Sequence, residues 1–186
     1  HVLIIGGGGR EHALAWRLVQ SAGVARVTVA PGNPGMAQTA GVTPLGRAVA
    51  PDDPAISDAD LVVFGPEVPL VAGEADRFRD AGFAVVGPGA AAARLEGSKS
   101  FAKEFMRTAG VPTAASRVCA TPAEARAAVS AMTLPVVIKA DGLAAGKGVL
   151  ICMTETGAAD AIRQVMEDRA FGDAGETVVV EEFLTG

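Results

Sequence analysis

The segment Val136-Val-Ile-Lys-Ala-Asp-Gly-Leu-Ala-Ala-Gly-Lys-Gly-Val149 constrains the fold more than any other stretch, because a β-branched run passes directly into a glycine-rich loop carrying lysine. Pro135 precedes it, Val136, Val137 and Ile138 favour extended backbone, and Lys139 falls at the strand end, where its side chain can reach a ligand. Gly142, Gly146 and Gly148 permit positive φ and close approach of backbone N–H groups to an anion, while Ala144 and Ala145 add no bulk. Lys147 adds a mobile positive charge. A Walker A loop needs glycine five positions before its Gly-Lys pair and Ser or Thr directly after it, and here Asp141 and Gly148 stand in those places. Val149-Leu-Ile-Cys152 then reads as a second strand. The loop therefore joins strand to strand, as a lid over a nucleotide does, although a surface hairpin with solvated lysines uses the same turn residues.

The chain opens with a similar motif. Val2-Leu-Ile-Ile5 is an apolar strand, and Gly6-Gly-Gly-Gly-Arg-Glu-His12 turns it into a helix that buries Ala13, Leu14, Trp16, Leu18 and Val19. Unpaired N–H groups and a positive macrodipole make such a turn a place for phosphate, with Gly8, Gly9 and Arg10 as candidate contacts. The same glycines also serve close helix–sheet packing. A dinucleotide fingerprint would place its third glycine at Glu11 and an acidic residue after the second strand. That strand, Arg26-Val-Thr-Val-Ala30, runs instead into Pro31-Gly-Asn-Pro-Gly35, which disfavours bound NAD and favours a smaller phosphorylated substrate near Asn33.

Leu61-Val-Val-Phe64 is the next strand, and it ends in Gly65-Pro-Glu-Val-Pro-Leu70 before a helix running through Phe78 to Ala81. Glu67 is either a site residue at a strand end or a carboxylate favoured by the helix dipole. Ala84-Val-Val-Gly87 supplies a further strand, and the elements together predict a small doubly wound parallel sheet. Between the 42–49 segment and Leu61 the chain offers barely the dozen residues of a parallel crossover, which leaves an extended loop or a gap in the sequence. A Ser98-capped helix through Met106 follows, with Lys99 and Lys103 read off the buried face. From Arg117 the order is strand, helix (122–132), the hairpin, helix (158–167) and the strand Thr177-Val-Val-Val-Glu-Glu-Phe-Leu184. This is a compact α+β unit. Glu181, Glu182, Phe183 and Leu184 combine edge hydrogen bonding with apolar faces, which suits adenine; a charged edge strand reads the same way.

Composition excludes several classes. The net charge of -5 argues against nucleic acid, and Cys119 and Cys152 match no metal or redox spacing. No apolar run reaches membrane-spanning length and no secretory leader opens the chain, so a cytoplasmic protein with no membrane partner is expected.

Taken in order, Gly-Gly-Gly-Gly-Arg-Glu-His, Pro31-Gly-Asn-Pro-Gly35, Gly65-Pro-Glu-Val-Pro-Leu70, Glu96-Gly-Ser-Lys-Ser-Phe-Ala-Lys103, Lys139 to Gly148, and Phe171-Gly-Asp-Ala-Gly175 through Leu184 resemble the N-terminal part of the glycinamide ribonucleotide synthetases. These are phosphoribosylamine-glycine ligases of the ATP-grasp superfamily. The resemblance implies an α/β N-terminal substrate domain over 1–97, a linker helix over 98–118, and an α+β ATP-grasp lid over 119–186. It implies an ATP-dependent ligase of de novo purine biosynthesis, in which ATP phosphorylates glycine and 5-phosphoribosylamine attacks the glycyl phosphate. Lys103 and Lys139 would contact ATP phosphates, the loop with Gly142, Gly146, Lys147 and Gly148 would close over them, and residues 181–184 would line the adenine pocket. Gly8, Gly9, Arg10, Asn33 and Glu67 would lie beside the ribose-phosphate substrate. The Mg2+ or Mn2+ that accompanies ATP would be held by residues beyond 186, so this chain alone is expected to be inactive. Two alternatives are another ATP-grasp ligase of purine synthesis and a fragment that binds nucleotide or sugar phosphate without chemistry.

Overall fold

A computed structural model describes residues 1–144 and 146–185. Ala145, within the glycine loop, and Gly186 lie outside the described residues. The chain divides into two compact units, His1–Ala93 and Arg94–Gly186.

The first unit is built on five parallel strands, β1 (Val2–Gly6), β2 (Val27–Pro31), β3 (Val42–Pro44), β4 (Leu61–Phe64) and β5 (Val85–Val86), in the order β3-β2-β1-β4-β5. β1 is central and buried along its whole length, as its unbroken apolar run requires. Its side chains divide by parity. Leu3 and Ile5 join Val62, Phe64, Leu70 and Phe78 in one cluster, while Val2 and Ile4 join Ala15, Val27, Val29 and Met36 in another. Two covered faces require helices on both. Helix α1 (Gly9–Leu18) supplies Ala15 to one, and α2 (Glu67–Val71) with α3 (Glu74–Asp80) supplies Leu70, Ala75 and Phe78 to the other. Phe78 packs edge-on against Phe64 with ring centroids 5.7 Å apart.

Two local expectations change here. The 65–70 stretch expected as a turn before the helix itself holds α2, and the helix through Phe78 starts only at Glu74, after Gly73, whose φ of 80° places it in the left-handed region and lets α3 start in a new direction. The short crossover before β4 is an extended loop. A 3₁₀ turn, Pro54–Ile56, buries Ile56 completely, and Asp53 accepts from the Ala55 N–H while pairing with Arg47.

The second unit begins within α4 (Ala90–Gly97), continues through α5 (Lys99–Ala109), and forms an antiparallel sheet from β6 (Ser116–Cys119), β7 (Val136–Ala140), β8 (Val149–Cys152) and β9 (Val178–Glu182), ordered β6-β9-β7-β8. Helices α6 (Pro122–Ser130) and α7 (Glu155–Ile162) cover one face. There Val136, Ile138, Ala140, Val178 and Val180 pack against Ala125, Val129, Ala161 and Ile162. α7 starts earlier than the apolar spacing indicates, because Thr154 caps it through the Gly157 N–H, and a π turn over Arg163–Glu167 follows. β9 ends at Glu182, short of Phe183 and Leu184. No helix among the described residues is long and apolar enough to cross a membrane.

Candidate functional site

Strand parity puts the chemistry of the second unit on the sheet face opposite α6 and α7. Ile138 pairs with Val180 in the register of β7 and β9, so Lys139 and Glu181 both point away from the helix-covered core as diagonal neighbours. A slip of one residue would drive Lys139 into that core, so the apolar alternation itself fixes the lysine's position. Lys139 Nζ donates to Glu181 Oε2 at 2.9 Å. Lys103, from α5, brings a second ammonium to the same oxygen at 3.2 Å. Glu181 is 4% exposed and Lys103 9%, whereas the Lys139 side chain keeps 28% of its surface. These three residues, with Lys99 and Leu184, line a cleft of about 440 Å³.

The glycine loop leaves β7 at a fixed base. Asp141 N–H donates to Thr177 O, and the Asp141 carboxylate accepts from Ser100 N–H at 2.6 Å, Ser100 Oγ at 2.9 Å and Ser98 Oγ at 3.2 Å. The start of α5 is thereby satisfied donor by donor: Lys99 N–H by Asp141 O, Ser100 N–H by the carboxylate, Phe101 N–H by Ser98 Oγ and Ala102 N–H by Ser98 O. Lys99 Nζ donates to Gly142 O at 3.0 Å. Burial lowers the Lys99 pKa, opposed by the Asp141 carboxylate. A Cβ on Gly142 would come within 3.0 Å of Ala174 Cβ, so the Phe171-Gly-Asp-Ala-Gly175 turn braces the loop from beneath. Lys147 is exposed and Gly146 has φ of 77°, the left-handed conformation anticipated for a loop glycine.

In the first unit, three turns meet at the C-terminal edge of the parallel sheet, where open α/β sheets take ligands. Gly65 N–H donates to Ile5 O and Gly32 N–H to Gly6 O, which places residues 6–10, 31–35 and 65–67 side by side. Arg10 Nη1 donates to Gly65 O at 2.6 Å. Asn33 donates to Gly7 O and accepts from Gly35 N–H, both at 3.0 Å. Glu67 is the first residue of α2. Beneath this edge lies Glu11, 4% exposed, with Oε2 accepting the Gly8 N–H at 2.7 Å. Gly9 has open space around its Cα, while Gly6 and Gly65 press on the Glu11 side chain.

Of the residues anticipated to meet a nucleotide, Lys139, Lys103, Glu181 and Leu184 are brought to one cleft, with Gly142, Gly146, Lys147 and Gly148 in the adjoining loop. Glu182 is turned elsewhere, accepting the Ala115 N–H at 2.8 Å, and Phe183 is partly exposed. Three participants escaped the sequence reading. Helical spacing reads both Lys99 and Lys103 off the buried face, yet Lys99 is half-buried beside the cleft and Lys103 is the buried residue of α5, while Phe105 is 49% exposed. Asp141 is 41 residues from the Ser100 it caps, so no local pattern reveals it. Glu11 was detectable, since an acidic residue three positions after a helix start is the return half of a capping box. Among the described residues no group of three or more His, Cys, Asp or Glu is gathered to hold a metal ion.

Comparison with known proteins agrees with this geometry. The family described as phosphoribosylglycinamide synthetase, N domain, matches residues 1–96, and the phosphoribosylglycinamide synthetase ATP-grasp (A) domain matches residues 97–186. The whole chain is 51% identical to a phosphoribosylamine-glycine ligase of Xanthomonas campestris and 49% identical to one of Pseudomonas aeruginosa, spanning 44% of the length of each. A crystal structure of the phosphoribosylamine-glycine ligase of Thermotoga maritima superposes with a TM-score of 0.81 at 32% identity, over all of this chain and 44% of that one. With the two family models together matching the whole chain, the chain belongs to the phosphoribosylglycinamide synthetase family.

Proposed function

We propose that this chain works in an ATP-dependent ligase that joins glycine to 5-phosphoribosylamine, giving glycinamide ribonucleotide, ADP and phosphate. The observation that carries the reading is the cleft at the end of β7, where Lys139 and Lys99 stand at the base of a glycine-rich hairpin loop. The N-domain match favours this ligase over other ATP-grasp enzymes, because the first unit carries its own family signature.

In such a reaction a glycine carboxylate oxygen attacks the γ-phosphorus of ATP and ADP leaves. The amine nitrogen of phosphoribosylamine then attacks the acyl carbon, loses a proton, and phosphate departs. Little covalent work falls to the protein, so alignment and charge neutralisation dominate. Lys139 has no hydrogen-bonded protein partner other than Glu181 among the described residues, and it faces the cleft as a phosphate contact. Lys99 shares that role while holding Gly142 O. The loop lowers its N–H groups and Lys147 over the phosphates and excludes water. Leu184 and the backbone that follows Glu182 receive the adenine, the Glu181 and Glu182 carboxylates being engaged by the lysines and by the Ala115 N–H, and the turns with Gly8, Gly9, Arg10, Asn33 and Glu67 receive the sugar phosphate. A divalent metal would supply charge neutralisation to the phosphates in such chemistry; among the described residues no group of three or more His, Cys, Asp or Glu is gathered to hold one.

The test is glycine-dependent ADP release by the complete polypeptide carrying this sequence, with phosphoribosylamine present. Lys139→Met is expected to lower kcat/KM by about 10²-fold, the usual cost of one preorganised charge contact to a transition state. ADP release that ignores glycine, or survives Lys139→Met unchanged, contradicts the assignment.

A further inference from the structure

We infer that Lys103 is a positioning residue: it neutralises the buried Glu181 carboxylate so that the Lys139 ammonium stays free to meet an anionic ligand. This inference rests on the nucleotide reading above and assigns Lys103 a role different from direct phosphate contact.

The geometry of the two ammoniums separates their roles. Lys103 Nζ lies 2.7 Å from Thr113 Oγ1, 3.1 Å from Ala114 O and 3.2 Å from Glu181 Oε2. An ammonium has three N–H donors; here two are hydrogen-bonded to Thr113 Oγ1 and Ala114 O, and the group is ion-paired with Glu181. The side chain is 9% exposed, so binding a phosphate would require it to abandon buried acceptors. Among the described residues Lys139 has a single hydrogen-bonded protein partner, the same Glu181 oxygen, and a larger exposed surface.

Charge completes the argument. Two lysines and one carboxylate leave one net positive charge in the cluster. Lys103 is fixed by α5 and the 113–114 segment, so the buried pair it makes with Glu181 is closed, and the surplus charge belongs to Lys139. Without the Lys103 charge, Glu181 would pair with Lys139 alone. That would neutralise the phosphate contact and hold it against β9, with no change in the residues that touch nucleotide.

A cycle of variants tests this through binding of ATP and of adenosine, measured by calorimetry at fixed salt. Lys103→Met is expected to weaken ATP by about tenfold or more, equal to about 1.4 kcal/mol, while adenosine, which carries no phosphate, binds as before. Lys103→Arg keeps the charge and is expected to retain most of the ATP affinity. The decisive member is the double variant Lys103→Met with Glu181→Gln, in which both charges of the closed pair are gone and Lys139 again carries the surplus. Recovery of ATP affinity to within about threefold of the original protein supports the positioning role. A double variant as weak as Lys103→Met, or a Lys103→Met protein that binds ATP normally, overturns it. If Lys103→Met alone does not fold, the double variant is compared directly with the original protein, and a loss of tenfold or more overturns the inference. Failure of the unaltered protein to bind ATP at all counts against the nucleotide reading instead.

Discussion

Replacing Asp141 with alanine gives the sharpest quantitative forecast, because its side chain serves one helix start through a few measured contacts. The carboxylate accepts from Ser100 N–H at 2.6 Å, Ser100 Oγ at 2.9 Å and Ser98 Oγ at 3.2 Å. Alanine removes both acceptor oxygens and with them all three bonds, and leaves the Ser100 N–H, a helix-terminal donor, without its side-chain partner. An orphaned donor of this kind costs about 1–3 kcal/mol. Losing a negative charge beside a helix N-terminus adds about 0.3–1 kcal/mol. The backbone bond from Lys99 N–H to Asp141 O survives, so the total expected is about 1–4 kcal/mol. For a unit of this size each kcal/mol lowers Tm by about 4–8 °C, so a drop of about 5 °C or more is expected for the second unit. Asn at this position retains an acceptor for the Ser100 N–H and loses the charge and the second oxygen that accepts the two hydroxyls, for a smaller effect than Ala. Thermal and urea unfolding followed by far-UV circular dichroism reads both variants. An Asp141→Ala protein within about 0.5 kcal/mol of the original would refute the capping account, and equal damage from Asn and Ala would refute the division between acceptor and charge.

Other expectations follow from single contacts. Gly65→Ala places a methyl group on the buried Glu11 carboxylate, and overpacking of this kind costs about 1–3 kcal/mol; unchanged urea stability would show that Glu11 can move aside. Hydrogen bonding to Arg47 lowers the Asp53 pKa from 3.8 to about 2, so its stabilising effect is present above the ordinary value and is lost as pH falls from there through about 2. Asp53→Asn is therefore expected to reduce stability at neutral pH and to flatten its pH dependence in that acid window, and an unaltered profile would contradict the pairing. Burial raises the pKa of both thiols, Cys119 at 2% and Cys152 at 4% exposure. Both should resist a disulfide reagent at neutral pH until denaturant is added, and rapid modification of either in the native protein would contradict its burial.

Much of this architecture is legible in the sequence because it depends on local pattern. The apolar run of β1, the glycine turn behind it and the alternation that exposes Lys139 follow from strand parity and backbone freedom, which neighbouring residues determine. The extended loop before β4 was already one of two readings, since the segment between Val49 and Leu61 is too short for a helical crossover. What stayed hidden depends on residues far apart in the chain. Asp141 reaches the start of α5, and Lys103 and Lys139 converge on Glu181 from a helix and a neighbouring strand. The lysines of α5 are misplaced for a related reason: helix spacing around Phe101 and Phe105 marks the most apolar face, but Phe105 is 49% exposed and Lys103 is buried through its distant partners Thr113, Ala114 and Glu181. The break at Gly73 is local, yet glycine inside a helix pattern signals either a tolerated weakness or a stop, and sequence alone does not separate them.

The central claim is that nucleotide binds in the second unit, at the end of β7 beneath the glycine loop. Amide hydrogen exchange with and without ATP tests it residue by residue. Slower exchange is predicted across residues 139–149 and 181–184, with residues 6–10 unchanged by ATP. Protection confined to residues 6–10, with the 139–149 hairpin unaffected, would contradict it.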